Sequence, residues 1–345
     1  MKYLKLLILF LVTFSAFETV YANTSNALCT KAIPGINLAG AGFSSSKIPG
    51  RVGYDFKFPD GVHLLYYKSK GFKAIRLSIL WERLQPNLYS ELNQAYLNQI
   101  KLFLKKSEEH DLLVLLDLHN YGRYKKEIIG TEKVPSRAFF DVWNRLAKEL
   151  NGYPALYAYG LMNEPNKTKG HWHKVAQFGV DGIRAEDKKK VIYVPGEFWS
   201  SSWMWPKANP EPFVTDPQNN LVYEAHIYFD KNSSGTYQNP DEILKKGHVT
   251  KRVMPFVNWL NKHNLKGAIG EWGVPSSSKA WFPVVDEFIN LADKHCLDWY
   301  IWAGGPWPKH YMMSLEPVDW KDKPLIEFLS KKIKADLQSP LGNIK

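Results

Sequence analysis

Cysteine is nearly absent: Cys29 and Cys296 are the two in 345 residues, so at most one disulfide can form within the chain. No Ser/Thr/Pro-rich linker or low-complexity tract interrupts the sequence, which therefore reads as one domain with no appended module. Beyond residue 22 no apolar run is long enough to span a bilayer, and no membrane anchor is expected. Basic residues are in excess, with a net charge of +11, but they lie in short runs such as Lys188-Lys189-Lys190 and Lys331-Lys332. Such runs are usually solvated helix faces or ends, so nucleic acid is not the expected partner. Weak attraction to anionic surfaces or polysaccharides is compatible with the charge.

What the chain does have begins with a segment unlike the rest. Lys2 and Lys5 precede an apolar stretch from Leu6 to Phe17, and Val20-Tyr21-Ala22 places small residues where a signal peptidase reads them. This pattern predicts a secretory signal peptide over residues 1–22, cleaved after Ala22, and a protein exported to the extracellular space or periplasm. Cys29 follows Asn26-Ala27-Leu28 rather than a lipobox, so no lipid anchor is expected. Removal of Lys2, Lys5 and Glu18 leaves 43 basic and 33 acidic residues, a charge of +10.

In residues 23–345, β-rich runs recur eight times: 33–40, 73–79, 112–119, 156–163, 190–196, 221–228, 266–272 and 298–304. Helical stretches fall between most of them, for example Leu92 to His110, Ser136 to Leu150, Asp241 to His263 and Lys279 to Lys294, with a last helix from about Asp319 to Leu337. Near-continuous apolar strands alternating with amphipathic helices predict a parallel sheet covered by helices, an α/β protein. Eight such units fit a single (β/α)8 TIM barrel, whose site is built at the carboxyl ends of the strands. A doubly wound sheet is the alternative, but no glycine-rich phosphate loop follows the first strand, "GINLAG". Barrel closure would bring the first and eighth strands together, and with them Cys29 and Cys296, which predicts a disulfide at the bottom rim.

The strand ends then become the place to look for chemistry. Strand 2 carries Arg76; strand 3 ends in His119-Asn120, strand 4 in Asn163-Glu164, strand 6 in His226-Ile227-Tyr228, strand 7 in Glu271 and strand 8 in Trp302. Each alone has a structural reading as a satisfied core group. All converging on one rim points to glycoside hydrolysis, which needs two carboxyl groups flanking the bond, roughly 5–5.5 Å apart when configuration is retained. Pro165 would stop strand 4 and hold Glu164 in an extended conformation.

The ordered series "GFKAIRLSI", "LLDLHNYGRY", "YGLMNEP", "VPGEFWSSSWMW", "YEAHIYFDKNSSG", "GEWG" and "WYIWAGGPW" resembles the glycoside hydrolase family 5 cellulases, nearly throughout residues 23–345. Asn-Glu-Pro alone is weak; the series is specific. Its wording is similar to the endo-β-1,4-glucanases of that family. The resemblance implies that Glu164 is the acid/base and Glu271 the nucleophile of a retaining, double-displacement cleavage of a β-glucan. On this reading Arg76 and Tyr228 hold Glu271, Asn163 binds the 2-hydroxyl of the sugar being cleaved, and His119, Asn120 and His226 complete a polar wall. Asp117 and Glu224, two residues below the histidines, are expected to orient them.

Aromatic residues supply the remaining signal. Trp302, Trp199, Trp203, Trp205 and Trp307 gather near the same rim, where sugar rings could lie on them. Trp302 is expected to floor the cleavage subsite and Trp199 and Trp205 to flank it; Trp203 departs from the family pattern, leaving the flanking subsites open. His171-Trp172-His173 lies after strand 4, where surface residues are the default, and the first strand lacks the His-x-His of metal-dependent barrel hydrolases. No metal or cofactor is called for, and a monomer is expected. Mannan, xyloglucan and mixed-linkage glucan stay open as substrates, as does a non-catalytic polysaccharide-binding protein.

Overall fold

A computed structural model describes residues 32–239, 247–306 and 310–337. Eight parallel strands close into a barrel: β1 (Pro34–Leu38), β2 (Ala74–Ile79), β3 (Leu113–Leu118), β4 (Leu156–Gly160), β5 (Val191–Pro195), β6 (Leu221–Tyr228), β7 (Gly267–Gly273) and β8 (Asp298–Gly304). Each pairs with its neighbour in sequence, and β1 pairs with β8 through Pro34↔Trp299, Gly35↔Tyr300 and Ile36↔Ile301. The helices that cover it are α1 (Gly61–Lys70), α2 (Gln94–Glu109), α3 (Ser136–Leu150), α4 (Trp172–Glu186), α5 (His248–His263), α6 (Phe282–Lys294) and α7 (Pro324–Leu337). Among the described residues no helix is long and apolar enough to cross a membrane.

The helices follow from local rules. Asp60 caps α1 by accepting from the backbone of Val62 and His63, and Gly71, at φ 99°, ends it in the left-handed conformation. α3 buries one face through Phe139, Val142, Trp143, Leu146 and Leu150, so its exposed face carries the charges. Strand 4 ends at Gly160, three residues earlier than the sequence suggests, and the last helix starts at Pro324, after a tight bridge between Val318 and Lys321. Part of the helix expected over 241–263 and the predicted signal peptide, Cys29 and Trp307 lie outside the described residues. Cys296 is disulfide-bonded, and no described cysteine is free. Trp172 is not a surface residue: it sits on α4 at 1% exposure, edge-on to Phe139, its indole nitrogen donating to the Pro195 carbonyl.

Two layers fill the barrel. Ala74, Leu115, Ala158, Tyr193, Val222, Ala268 and Tyr300 pack an apolar floor. Gly35 is obligatory there, because a Cβ would fall 2.3 Å from the Tyr300 ring. One inward position further along the strands, the layer turns ionic: Arg76, Asp117 and Glu224 are all fully buried. The site stands on that second layer.

Candidate active site

Arg76 is the hub. Its Nε donates to Glu224 (2.9 Å), its Nη1 to Asn37 (3.0 Å) and its Nη2 to Asn163 (2.9 Å), and Nη2 also pairs with Asp117 at 3.0 Å. Burial works against the guanidinium charge, but Asp117, Glu224 and Glu271 outweigh it and leave the group held more firmly cationic than usual. Burial likewise opposes the charge on Asp117, yet Arg76 and His119 bring its carboxyl below the ordinary range. A planar donor fork surrounded by acceptors is a rigid base for whatever stands above it.

The histidines stand above it. Asp117 Oδ2 holds His119 Nδ1 at 2.7 Å, and Glu224 Oε1 holds His226 Nε2 at 3.3 Å, so the two deeper acids do orient the imidazoles. The other ring nitrogen of His226 reaches Glu164 Oε1 at 2.8 Å and lies 3.9 Å from Glu271 Oε2. Burial pulls the His226 pKa down, but hydrogen bonds to Glu164 and Glu224 win and raise it to about 10, so the ring is cationic at neutral pH.

The two glutamates reach this point by irregular backbone. Glu164 does not take the extended conformation that a following proline favours; its φ is +44°, in the left-handed region, a strained state of the kind found where a side chain must be aimed. The segment is pinned by Asn163 N donating to the Leu118 carbonyl and Trp199 N to that of Pro165. On β7 the register against β6 jumps from Ala225↔Ile269 to His226↔Glu271, skipping Gly270. Regular alternation from Ala268 would turn Glu271 outward; the bulge turns it into the lumen. Only glycine fits at the skipped position, since a Cβ would lie 1.8 Å from Glu224 Oε1.

Glu271 accepts a hydrogen bond from the Tyr228 hydroxyl and lies 3.7 Å from Arg76 Nη1. Glu164, His226 and Glu271 each bring a polar atom to within 4.8 Å of the others, a spacing that could also ligate a metal ion. Burial and then the charge of Glu164 push the Glu271 carboxyl above the usual carboxylate range, against the pull of His226 and Arg76. This runs opposite to the simple expectation of a fully ionised nucleophile beside a protonated acid. A neighbouring negative charge disfavours ionisation, which is how Glu164 raises Glu271.

A cleft of about 610 Å³ opens over the pair, lined by Glu164, His226, Tyr228, Glu271, Trp199, Trp203, Trp302, Phe198, Tyr311, Met313 and the loop Asn232–Gly235. Trp199 and Trp203 are 41% and 45% exposed there, free to meet a ligand face. Phe198, Trp199 and Ser200 all have φ between 53° and 61°, a left-handed run locked by Ser200 Oγ donating to the Glu224 carbonyl (2.6 Å) and His226 N donating to that of Ser200 (2.8 Å). Trp302 forms the shared wall between this cleft and a second cavity, stacked at 5.9 Å and 16° on His119.

Two expected contacts are not made. Trp205 is fully buried, 4.6 Å from Phe256 and 5.6 Å from Trp259 by ring centroids, beneath rather than in the cleft. It opens the short helix Trp205–Ala208, which turns its ring onto α5. Asn120 lines the second cavity, but its side chain is spent: Oδ1 accepts from Trp81 N (2.9 Å) and Nδ2 donates to Glu82 (2.7 Å). By contrast Asn163 keeps its buried Nδ2 without a hydrogen-bond partner among the described residues. Tyr121, Phe198 and Tyr311 were not anticipated; Tyr121, two residues past His119 and 3.2 Å from its Nε2, was within reach of reading each strand end slightly further.

A closed parallel barrel bearing paired glutamates, a cationic histidine and exposed indoles at its carboxyl rim has the build of a glycoside hydrolase. Residues 37–306 match the model of the cellulase family, glycosyl hydrolase family 5, and the chain belongs to that family. It is 32% identical over 289 residues to an endoglucanase of Neurospora crassa, covering 82% of this chain and 72% of that protein. The crystal structure of Pseudomonas stutzeri endoglucanase Cel5A in complex with cellobiose superposes with a TM-score of 0.84 at 37% identity, covering 89% of this chain and 94% of that one. XacCel5A in complex with cellopentaose gives 0.81 at 34% identity, covering 88% and 99%.

Proposed function

We propose that the chain is an exported endo-β-1,4-glucanase that cleaves cellulose-type glucans with retention, through a glycosyl-enzyme intermediate on Glu271. The observation that carries this is the spacing: an oxygen of Glu164 and one of Glu271 lie within 4.8 Å, in keeping with the short carboxyl separation of retaining enzymes rather than the wider one of inverting enzymes. The endoglucanase names of its relatives and the cellobiose and cellopentaose bound to similar structures support the substrate class. Export rests on the pattern of residues 1–22.

In this reading Glu271 is the nucleophile and Glu164 the acid/base. Tyr228 and Arg76 favour the charge on Glu271, which attacks the anomeric carbon while Glu164 gives its proton to the departing oxygen. As Glu271 becomes an ester its negative charge disappears, and Glu164, left ionised by giving up its proton, takes a proton from a water whose oxygen attacks the anomeric carbon, breaking the ester and restoring the Glu271 carboxylate. His226, cationic and 2.8 Å from Glu164, receives the Glu164 charge without having to move. The free Nδ2 of Asn163 donates to the 2-hydroxyl, a contact that strengthens in the transition state. Trp302 supports the sugar at the cleavage point, and Trp199 and Trp203 carry the chain beyond it.

Reducing-sugar release from carboxymethylcellulose, mixed-linkage β-glucan and β-mannan, with Glu271→Gln as control, tests the assignment. Hydrolysis of the glucans that vanishes in the variant is expected. Hydrolysis of mannan alone would overturn the substrate, and binding without hydrolysis of any would overturn the enzyme reading.

A further inference from the structure

Trp302 is shared by the cleft and a second cavity of about 690 Å³, which has neither Trp199 nor Trp203 in its lining. Its wall is cationic. Arg123, Lys125 and Lys126 line it, all on one small hairpin in which Arg123–Tyr124 pairs with Glu127–Ile128. Lys125 and Lys126 form the two-residue tip with φ 48° and 71°, a turn type that holds a fixed shape.

The hairpin is fastened to the cleft. Arg123 Nη1 donates to the carbonyls of Tyr121 and Asn166, both at 2.9 Å, and Lys125 N donates to Glu82 at 2.6 Å. Among the described residues Glu82 is the single acid on this wall; it is buried, and its carboxylate is occupied by Asn120 and the Lys125 backbone. Glu127 on the hairpin is neutralised by Lys133 at 2.7 Å. Three cations therefore face one sequestered carboxylate, and neither lysine ammonium has a carboxylate to pair with among the described residues of that wall. A neutral polymer needs no such field, whereas a polymer carrying negative groups would be drawn along it.

We propose that this arm of the cleft selects β-glucans bearing anionic substituents, carboxylates above all, over the unsubstituted polymer. The inference rests on the β-glucanase reading and adds a charge preference to it. A glucan lying over Glu164 and Glu271 and crossing Trp302 would bring its substituents beneath Arg123, Lys125 and Lys126.

The test compares kcat/KM on carboxymethylcellulose with kcat/KM on neutral hydroxyethylcellulose, for the natural protein, Lys125→Gln/Lys126→Gln and Lys125→Arg/Lys126→Arg, at low and high salt. The ratio of the two substrates cancels any general loss of folded enzyme. It is expected to fall about three- to tenfold in the glutamine variant, the scale of two solvent-accessible ion pairs, and to be kept in the arginine variant. Salt should lower the ratio for the natural protein and leave the glutamine variant nearly unaffected. A ratio indifferent to both salt and the glutamine substitutions would overturn the proposal while leaving the glucanase reading intact; inactivity of the natural protein on both polymers would overturn that reading and this inference with it.

Discussion

Replacing Tyr228 with phenylalanine removes one hydroxyl from the site, and its effect can be worked out from the contacts. That hydroxyl donates to Glu271 Oε1, inside a wall where Tyr228 is 9% exposed. Glu271 is already pushed upward by burial and by Glu164, with His226 and Arg76 pulling the other way. A hydrogen bond to a charged group is worth about 1.5–3 kcal/mol, so its loss should lower kcat/KM by roughly ten- to a hundredfold. The sign on pH is fixed too: losing a donor to the carboxylate destabilises the charged form, so the acidic limb of the kcat/KM profile should move to higher pH. The assay is that profile on a soluble β-glucan, with thermal unfolding to confirm a folded variant. A loss below threefold with an unmoved acidic limb would refute the idea that Tyr228 holds Glu271 ionised.

Arg76→Met should cost about 3–5 kcal/mol in denaturant unfolding, because it strands Asp117 and Glu224 in the barrel without their cation; a cost under 1 kcal/mol would contradict the hub role. The lowered Asp117 carboxyl adds stability that is present above its ordinary value of 3.8 and is lost as pH falls through its lower folded value, so Asp117→Asn should flatten the acid side of the stability curve. The raised His226 works the other way: its contribution is full below 6.5 and disappears as pH rises through about 10, which melting of His226→Gln against the natural protein across that window will read. Trp205→Ala should destabilise by about 3–5 kcal/mol yet leave KM for soluble glucan within about twofold, whereas Trp199→Ala should raise KM and leave the melting point nearly unchanged. Cys29 and Cys296 are proposed to be joined, and non-reducing peptide mapping that recovered them apart would remove that pairing.

The barrel was legible because its strands are buried on both faces and its helices on one, so that two distinct periodicities alternate along the chain. The rim was legible for the same reason: a side chain at a strand end has few places to point, and Arg76, His119, Glu164, His226, Tyr228, Glu271 and Trp302 do meet. What could not be read was local backbone. Trp199, Trp203 and Trp205 stand within one seven-residue stretch, and nothing in "WSSSWMW" announces the left-handed run that exposes the first and lets the last fall into the core. Glu271 faces inward only through the bulge at Gly270, and Glu164 takes the conformation that Pro165 disfavours. Asn120 sits where a sugar contact would be useful, but its hydrogen bonds are consumed by the short helix Trp81–Leu84, which the hydrophobic pattern is too brief to reveal. The raised carboxyl of Glu271 depends on the approach of Glu164 from a strand far away in sequence, which spacing along the chain cannot give.

The proposed partnership of Glu164 and Glu271 is the centre of the account, and the configuration of the first product tests it most directly. NMR of a soluble β-1,4-glucan oligomer during the first minutes of hydrolysis should show the β-anomer appearing ahead of mutarotation. An initial α-anomer would mean that water, not Glu271, attacks the sugar, and the proposed mechanism would be wrong.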